Sequence, residues 1–87
     1  MANGTIHSLG TSHKVTSSTI TVSANDIATV TLSAPNAIYG IVKGFAVWNS
    51  EICVIVQAFF ETATTIRCRV KNVSGSQTTC IAEIYYC

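Results

Sequence analysis

The feature that most constrains this chain is branching at Cβ. Ten Ile, nine Val and twelve Thr make up 31 of 87 residues, against two Leu, Leu9 and Leu32. Such side chains are stiff at χ1, which suits a pleated strand and costs a little in a helix. No stretch combines a 3.6-residue apolar period with good helix formers. The chain therefore reads as all-β. Hydrophobic residues reach 48% and charged residues only 10%. That excludes the disordered class, which pairs low hydrophobicity with high charge. Eighty-seven residues hold one domain and leave no room for a cofactor fold or a βαβ array.

Turn residues punctuate the sequence at short intervals: Ala24-Asn25-Asp26, Ala34-Pro35-Asn36, Asn49-Ser50-Glu51, Glu61-Thr62-Ala63 and Val73 to Gln77. Strands are predicted near 14–23, 27–33, 37–48, 52–60, 65–72 and 78–86, with a further short edge strand from Thr5 to Leu9. This spacing predicts a compact antiparallel β-sandwich of about six or seven strands, hairpin-connected, with the last four running as a meander. A polar N-terminal segment, residues 1–12, precedes a sandwich domain over 13–87. The alternation is cleanest in 65–72, where Ile66, Cys68 and Val70 oppose Arg67, Arg69 and Lys71. In 27–33, Ala28, Val30 and Leu32 share a face; in 78–86, Cys80, Ala82, Ile84 and Tyr86 do.

Strands 37–48 and 52–60 break the pattern, because both of their faces are apolar. A strand in a two-layer sandwich has only one face against the core. The second face needs a cover, either an unusually closed barrel or a subunit interface. The interface reading takes Tyr39, Ile41, Phe45, Ile55 and Phe59 as the covered set and makes the chain a homo-oligomer.

Constellations for chemistry are sparse. Cys53, Cys68, Cys80 and Cys87 show neither a Cys-x-x-Cys pair nor a zinc spacing. They read as reduced thiols, with Cys87 the most accessible because termini are often exposed. His7 and His13 read as solvated tail residues. There is no Gly-x-Ser-x-Gly, no ordered Ser/His/Asp set, no paired carboxylates and no Gly-rich phosphate loop. No enzyme activity, metal or other cofactor is expected. Asn3-Gly4-Thr5 and Asn72-Val73-Ser74 fit the glycosylation pattern. However, Met1 to Thr5 shows neither the basic nor the apolar region of a secretory signal, so synthesis in the cytoplasm is expected. No run reaches the roughly 18 apolar residues of a membrane helix, so membrane insertion is not expected. A net charge of +1 gives no whole-chain case for nucleic acid. Two features remain as ligand-binding candidates. Arg67, Arg69 and Lys71 form a basic stripe suited to anionic sugar or phosphate. Trp48 sits beside the Asn49-Ser50-Glu51 turn, where a sugar-stacking aromatic would sit, and Tyr39, Tyr85 and Tyr86 are further aromatics able to stack.

Residues 37–87 carry a wider pattern. Paired hydrophobic strands Gly40–Trp48 and Ile52–Phe60 precede a basic alternating strand, Thr65–Asn72. The Asn-x-Ser-Gly-Ser turn at Asn72 to Ser76 leads to a last strand ending at the C-terminus. This resembles the small β-sandwich tip domains of bacteriophage tail fibres and other receptor-binding virion proteins, which are similar to H-type lectin modules. The resemblance implies a virion location, a homotrimer, and recognition of a bacterial surface glycan or protein receptor through exposed loops. The alternative is a structural assembly subunit, a capsid decoration or baseplate part, with no ligand of its own.

Overall fold

The computed structural model describes residues 12–87. His7, the Asn3 triplet, the Thr5–Leu9 strand and most of the polar N-terminal segment lie outside them. Seven strands follow in order: β1 His13–Thr16, β2 Ile20–Val22, β3 Ile27–Ser33, β4 Val42–Trp48, β5 Cys53–Thr62, β6 Thr65–Asn72 and β7 Thr78–Tyr86. All pairings are antiparallel. The described residues contain no helix, and so none long and apolar enough to cross a membrane.

The strands form two packed sheets. In the three-stranded sheet β6 lies between β3 and β5. In the four-stranded sheet β7 is central, with β4 on one side and β1 and β2 sharing the other. The predicted meander is therefore corrected. Of the last four strands, only β5 and β6 pair as sequence neighbours, while β4 and β7 meet in the other sheet. Parity tells which way a strand faces, but it carries no label for the strand alongside.

Between the sheets lie Ile66, Cys68 and Val70 of β6, Cys80, Ala82, Ile84 and Tyr86 of β7, Ile20 and Val22 of β2, and Leu32 of β3. Phe60 meets Tyr86 edge-on at 6.0 Å between ring centroids, tying the two sheets together. The expected strand 14–23 is split. Ser17 accepts a hydrogen bond from the Ala82 amide through its hydroxyl (2.9 Å) and donates its own amide to the Ala82 carbonyl (2.8 Å). The chain then bows away before rejoining β7 as β2. Strand 37–48 begins only at Val42. Before it, Gly40 takes φ +70°, a left-handed conformation that glycine adopts without steric cost. Asn25 and Asn49 also hold positive φ, which asparagine tolerates better than most residues, at two of the predicted turns.

Two thiol and histidine expectations are corrected. Cys87 is buried, because its carbonyl accepts the amides of Tyr39, Gly40 and Ile41 and its amide donates to the Ile41 carbonyl. His13 is half-buried in β1, its ring 5.6 Å from that of Tyr86. All four cysteines are free and buried. Burial pushes the Cys68 thiol up to about 11. Burial, hydrogen bonding with Cys53 and the nearby Cys53 and Cys68 thiols do the same to Cys80, also to about 11.

Candidate functional site

The four ligand candidates divide between opposite sides of the sandwich. Trp48 lies on the outer face of the four-stranded sheet, whereas Arg67, Arg69 and Lys71 lie on the outer face of the three-stranded sheet. Inner-facing Cys80, Ala82, Ile84 and Tyr86 alternate with Ile81, Glu83 and Tyr85, so these last three face outward. In β4, Trp48 stands opposite Ile81, Ala46 opposite Glu83 and Gly44 opposite Tyr85. On the other flank, β1 places Thr16 opposite Glu83 and Lys14 opposite Tyr85.

Glu83 organises this face. It is only 6% exposed although it points outward. The Trp48 indole Nε1 donates to its Oε2 at 3.1 Å, and the Tyr85 hydroxyl donates to its Oε1. A buried carboxylate needs such partners. The same bonds fix the tilt of two rings that stay in solvent, Trp48 at 54% and Tyr85 at 37% exposed. Donation to Glu83 raises the Tyr85 pKa above its ordinary value, with desolvation and the carboxylate charge adding to the effect. Between the rings, Gly44 and Ala46 keep the β4 flank low. The described residues enclose no cavity, so this is an open platform.

The basic stripe has equally regular neighbours. Arg67 lies between Thr31 of β3 and Phe59 of β5, Arg69 between Thr29 and Gln57, and Lys71 between Ile27 and Val54. All three cations are half-buried. Arg67 Nε pairs with Glu61 at one end of the row.

The residues assigned to an interface also separate. Tyr39, Ile41 and Phe45 are exposed, as is Phe59. Ile55 is not: simple alternation groups it with Phe59, but it packs against the core. A β-bulge between Ile55 and Gln57 absorbs Val56 and reverses the parity of β5. Cys53 and Ile55 before the bulge, and Ala58 and Phe60 after it, all face inward, leaving Val54, Val56 and Phe59 outside. The continuous apolar sequence thus serves mainly one face, in two phases.

Sequence reasoning missed Glu83, and it offered Tyr85 only as one stacking aromatic among Trp48, Tyr39 and Tyr86, with nothing to place it beside Trp48. The shared face of Glu83 and Tyr85 is readable from alternation, but the pairing of β7 with β4 is not, and without it Glu83 reads as isolated. The Asn72 glycosylation triplet is also settled in structural terms. Asn72 is fully buried, and its amide nitrogen donates to Val22 and Ser76 carbonyls. Among the described residues no group of three or more His, Cys, Asp or Glu is placed to hold a metal ion. No family model, curated protein or solved structure matches this chain.

Proposed function

We propose that this chain is a non-enzymatic binding module that takes a glycan on the Trp48–Tyr85 platform and assembles as a homotrimer in a virion. One observation carries the binding half: two solvent-exposed rings are held by one buried carboxylate. Rigid aromatics offer large contact area at low conformational-entropy cost. The apolar C–H face of a sugar stacks on such rings, and Thr16 and Lys14 on the β1 flank supply polar contacts for its hydroxyls. The tail-fibre resemblance of residues 37–87 supports the virion setting and the threefold number. Exposed Tyr39, Ile41 and Phe45 support association.

Trp48 is the one tryptophan of the chain, so its fluorescence reports on this face without labelling. Titration with glycans selected on a bacterial-glycan array should give a saturable emission change, lost in Tyr85→Ala. A silent array, or binding indifferent to Tyr85→Ala, refutes the site. The second reading is a structural assembly subunit, a capsid decoration or baseplate part. It is favoured by the same exposed apolar residues and corresponds to a stable oligomer with a silent array. Light scattering decides the assembly half, and a monodisperse monomer at micromolar concentration refutes it.

A further inference from the structure

The basic stripe lies where edge protection cannot explain it. Charged residues commonly guard sheet edges against pairing with another chain. Arg67, Arg69 and Lys71, however, stand on β6, the central strand, with β3 and β5 covering both of its edges. The chain has five Lys and Arg against four Asp and Glu. Three of those five cations occupy one face of one strand, and the acid paired there, Glu61, sits at the Arg67 end. Like charges in a row repel one another, and half-burial reduces their screening by water. An anionic partner would relieve the arrangement.

We propose that the outer face of the three-stranded sheet is a second binding surface, for a single extended anionic polysaccharide running along β6. Alternate residues of a strand lie about 6.6 Å apart, so the row presents three cations over about 13 Å. The ligand is therefore a chain bearing carboxylate, sulfate or phosphate groups at intervals near that spacing. The surroundings fit a sugar backbone. Thr29 and Thr31 line one side of the row with hydroxyls, and Gln57 and Phe59 line the other with an amide and a ring. The pairing of Arg67 Nε with Glu61 orients the guanidinium and leaves its terminal nitrogens for an anion. This surface is independent of the Trp48 platform, because the two lie on opposite faces.

The test is fluorescence anisotropy with three labelled probes at low salt: a heparin dodecasaccharide, an oligogalacturonate and a phosphomannan. Binding of at least one probe is expected, weakening about tenfold or more in Arg69→Gln/Lys71→Gln and steeply with added salt. Thr31→Glu, which adds a negative charge beside Arg67 without removing a cation, should weaken it as well. Trp48 emission should stay unchanged as the probe binds, which separates this surface from the glycan platform. Circular dichroism melts confirm that each variant folds. Failure of all three probes, or binding unaltered in both stripe variants, overturns the proposal. Tighter binding of single-stranded oligothymidylate than of any polysaccharide overturns the choice of partner.

Discussion

Asn72→Asp is the sharpest test of how this sandwich is held together. The substitution preserves shape almost atom for atom, so no cavity term enters. Asn72 is fully buried at the end of β6. Its Nδ2 donates to the Val22 carbonyl at 3.1 Å and to the Ser76 carbonyl at 2.7 Å. Its Oδ1 accepts the Ser74 amide at 2.9 Å and the Ser74 hydroxyl at 2.8 Å. One side chain thus ties β6 to β2 and to the turn before β7. An ionised aspartate keeps the two accepted bonds and loses both donated ones, because a carboxylate only accepts. It also sets an uncompensated negative charge against two carbonyl oxygens. Two lost hydrogen bonds amount to about 2 kcal/mol. An unpaired buried charge raises the total to roughly 3–5 kcal/mol. That is a large share of the roughly 5–15 kcal/mol typical of a folded domain.

The charge penalty gives the prediction a pH signature. The folded protein favours the protonated acid, which can still donate to one carbonyl, so the folded pKa of the introduced carboxyl is raised above the unfolded value of about 3.9. In the window between the two pKa values the native state binds more protons than the unfolded state. Relative to the parent, the variant is therefore most stable below the unfolded pKa and loses stability as pH rises towards the folded pKa. Urea unfolding at several pH values, followed by circular dichroism in reducing buffer, measures this directly. A deficit under about 1 kcal/mol near neutrality, or a deficit that does not change with pH, would refute the reasoning.

Three further outcomes are expected. Glu83→Gln should lower the anisotropy of Trp48 emission, cost about 1–2 kcal/mol in urea unfolding, and return the Tyr85 phenol towards its ordinary titration range, read by phenolate absorbance. In the parent, the raised Tyr85 pKa means that this contact loses stability as pH climbs through and above the ordinary tyrosine range. Cys68 and Cys80, with thiols pushed up to about 11, should resist alkylation in native protein near neutrality, while all four cysteines label in denaturant; rapid native labelling of Cys68 contradicts the packing described. Phe45→Lys should shift the protein to monomer in light scattering while the β signature in circular dichroism is kept, because Phe45 is exposed within a single copy; an oligomer retained in the variant contradicts the interface.

What was legible in the sequence was direction, and what was not was partnership. The alternation in β6 and β7 identified Ile66, Cys68, Val70, Cys80, Ala82 and Ile84 as inward, because burial at period two leaves a direct trace in residue type. Asn25 and Asn49 marked turns because their side chains tolerate positive φ. The bulge in β5 left no such trace. Every residue from Cys53 to Ala58 except Gln57 is apolar, so a phase change is invisible there. The Trp48–Glu83–Tyr85 cluster depends on β4 lying beside β7, across 35 positions of sequence. Cys87 reads as accessible from its terminal position alone, because its backbone bonds to residues 39–41 are long-range.

The arrangement of edges explains why both proposed surfaces can work in one assembly. β4 pairs only with β7 and β5 pairs only with β6, so each is an edge strand. The two strands also contact each other, which places both on one flank of the sandwich. That flank exposes Phe45 and Val54, together with the unpaired backbone groups any edge strand presents. Neither outer face suits association as well. On the three-stranded sheet, stacking two copies would bring two rows of Arg67, Arg69 and Lys71 together, and like charges juxtaposed across an interface oppose association. On the four-stranded sheet, stacking would bury the Trp48–Tyr85 platform. In the proposed homotrimer, a closed ring built through the β4–β5 flank would cover Phe45, Val54 and the unpaired edges together. Such a ring would leave the outer faces of both sheets in solvent, and repetition of the two proposed surfaces around it would multiply the strength of a weak contact with a repeating glycan.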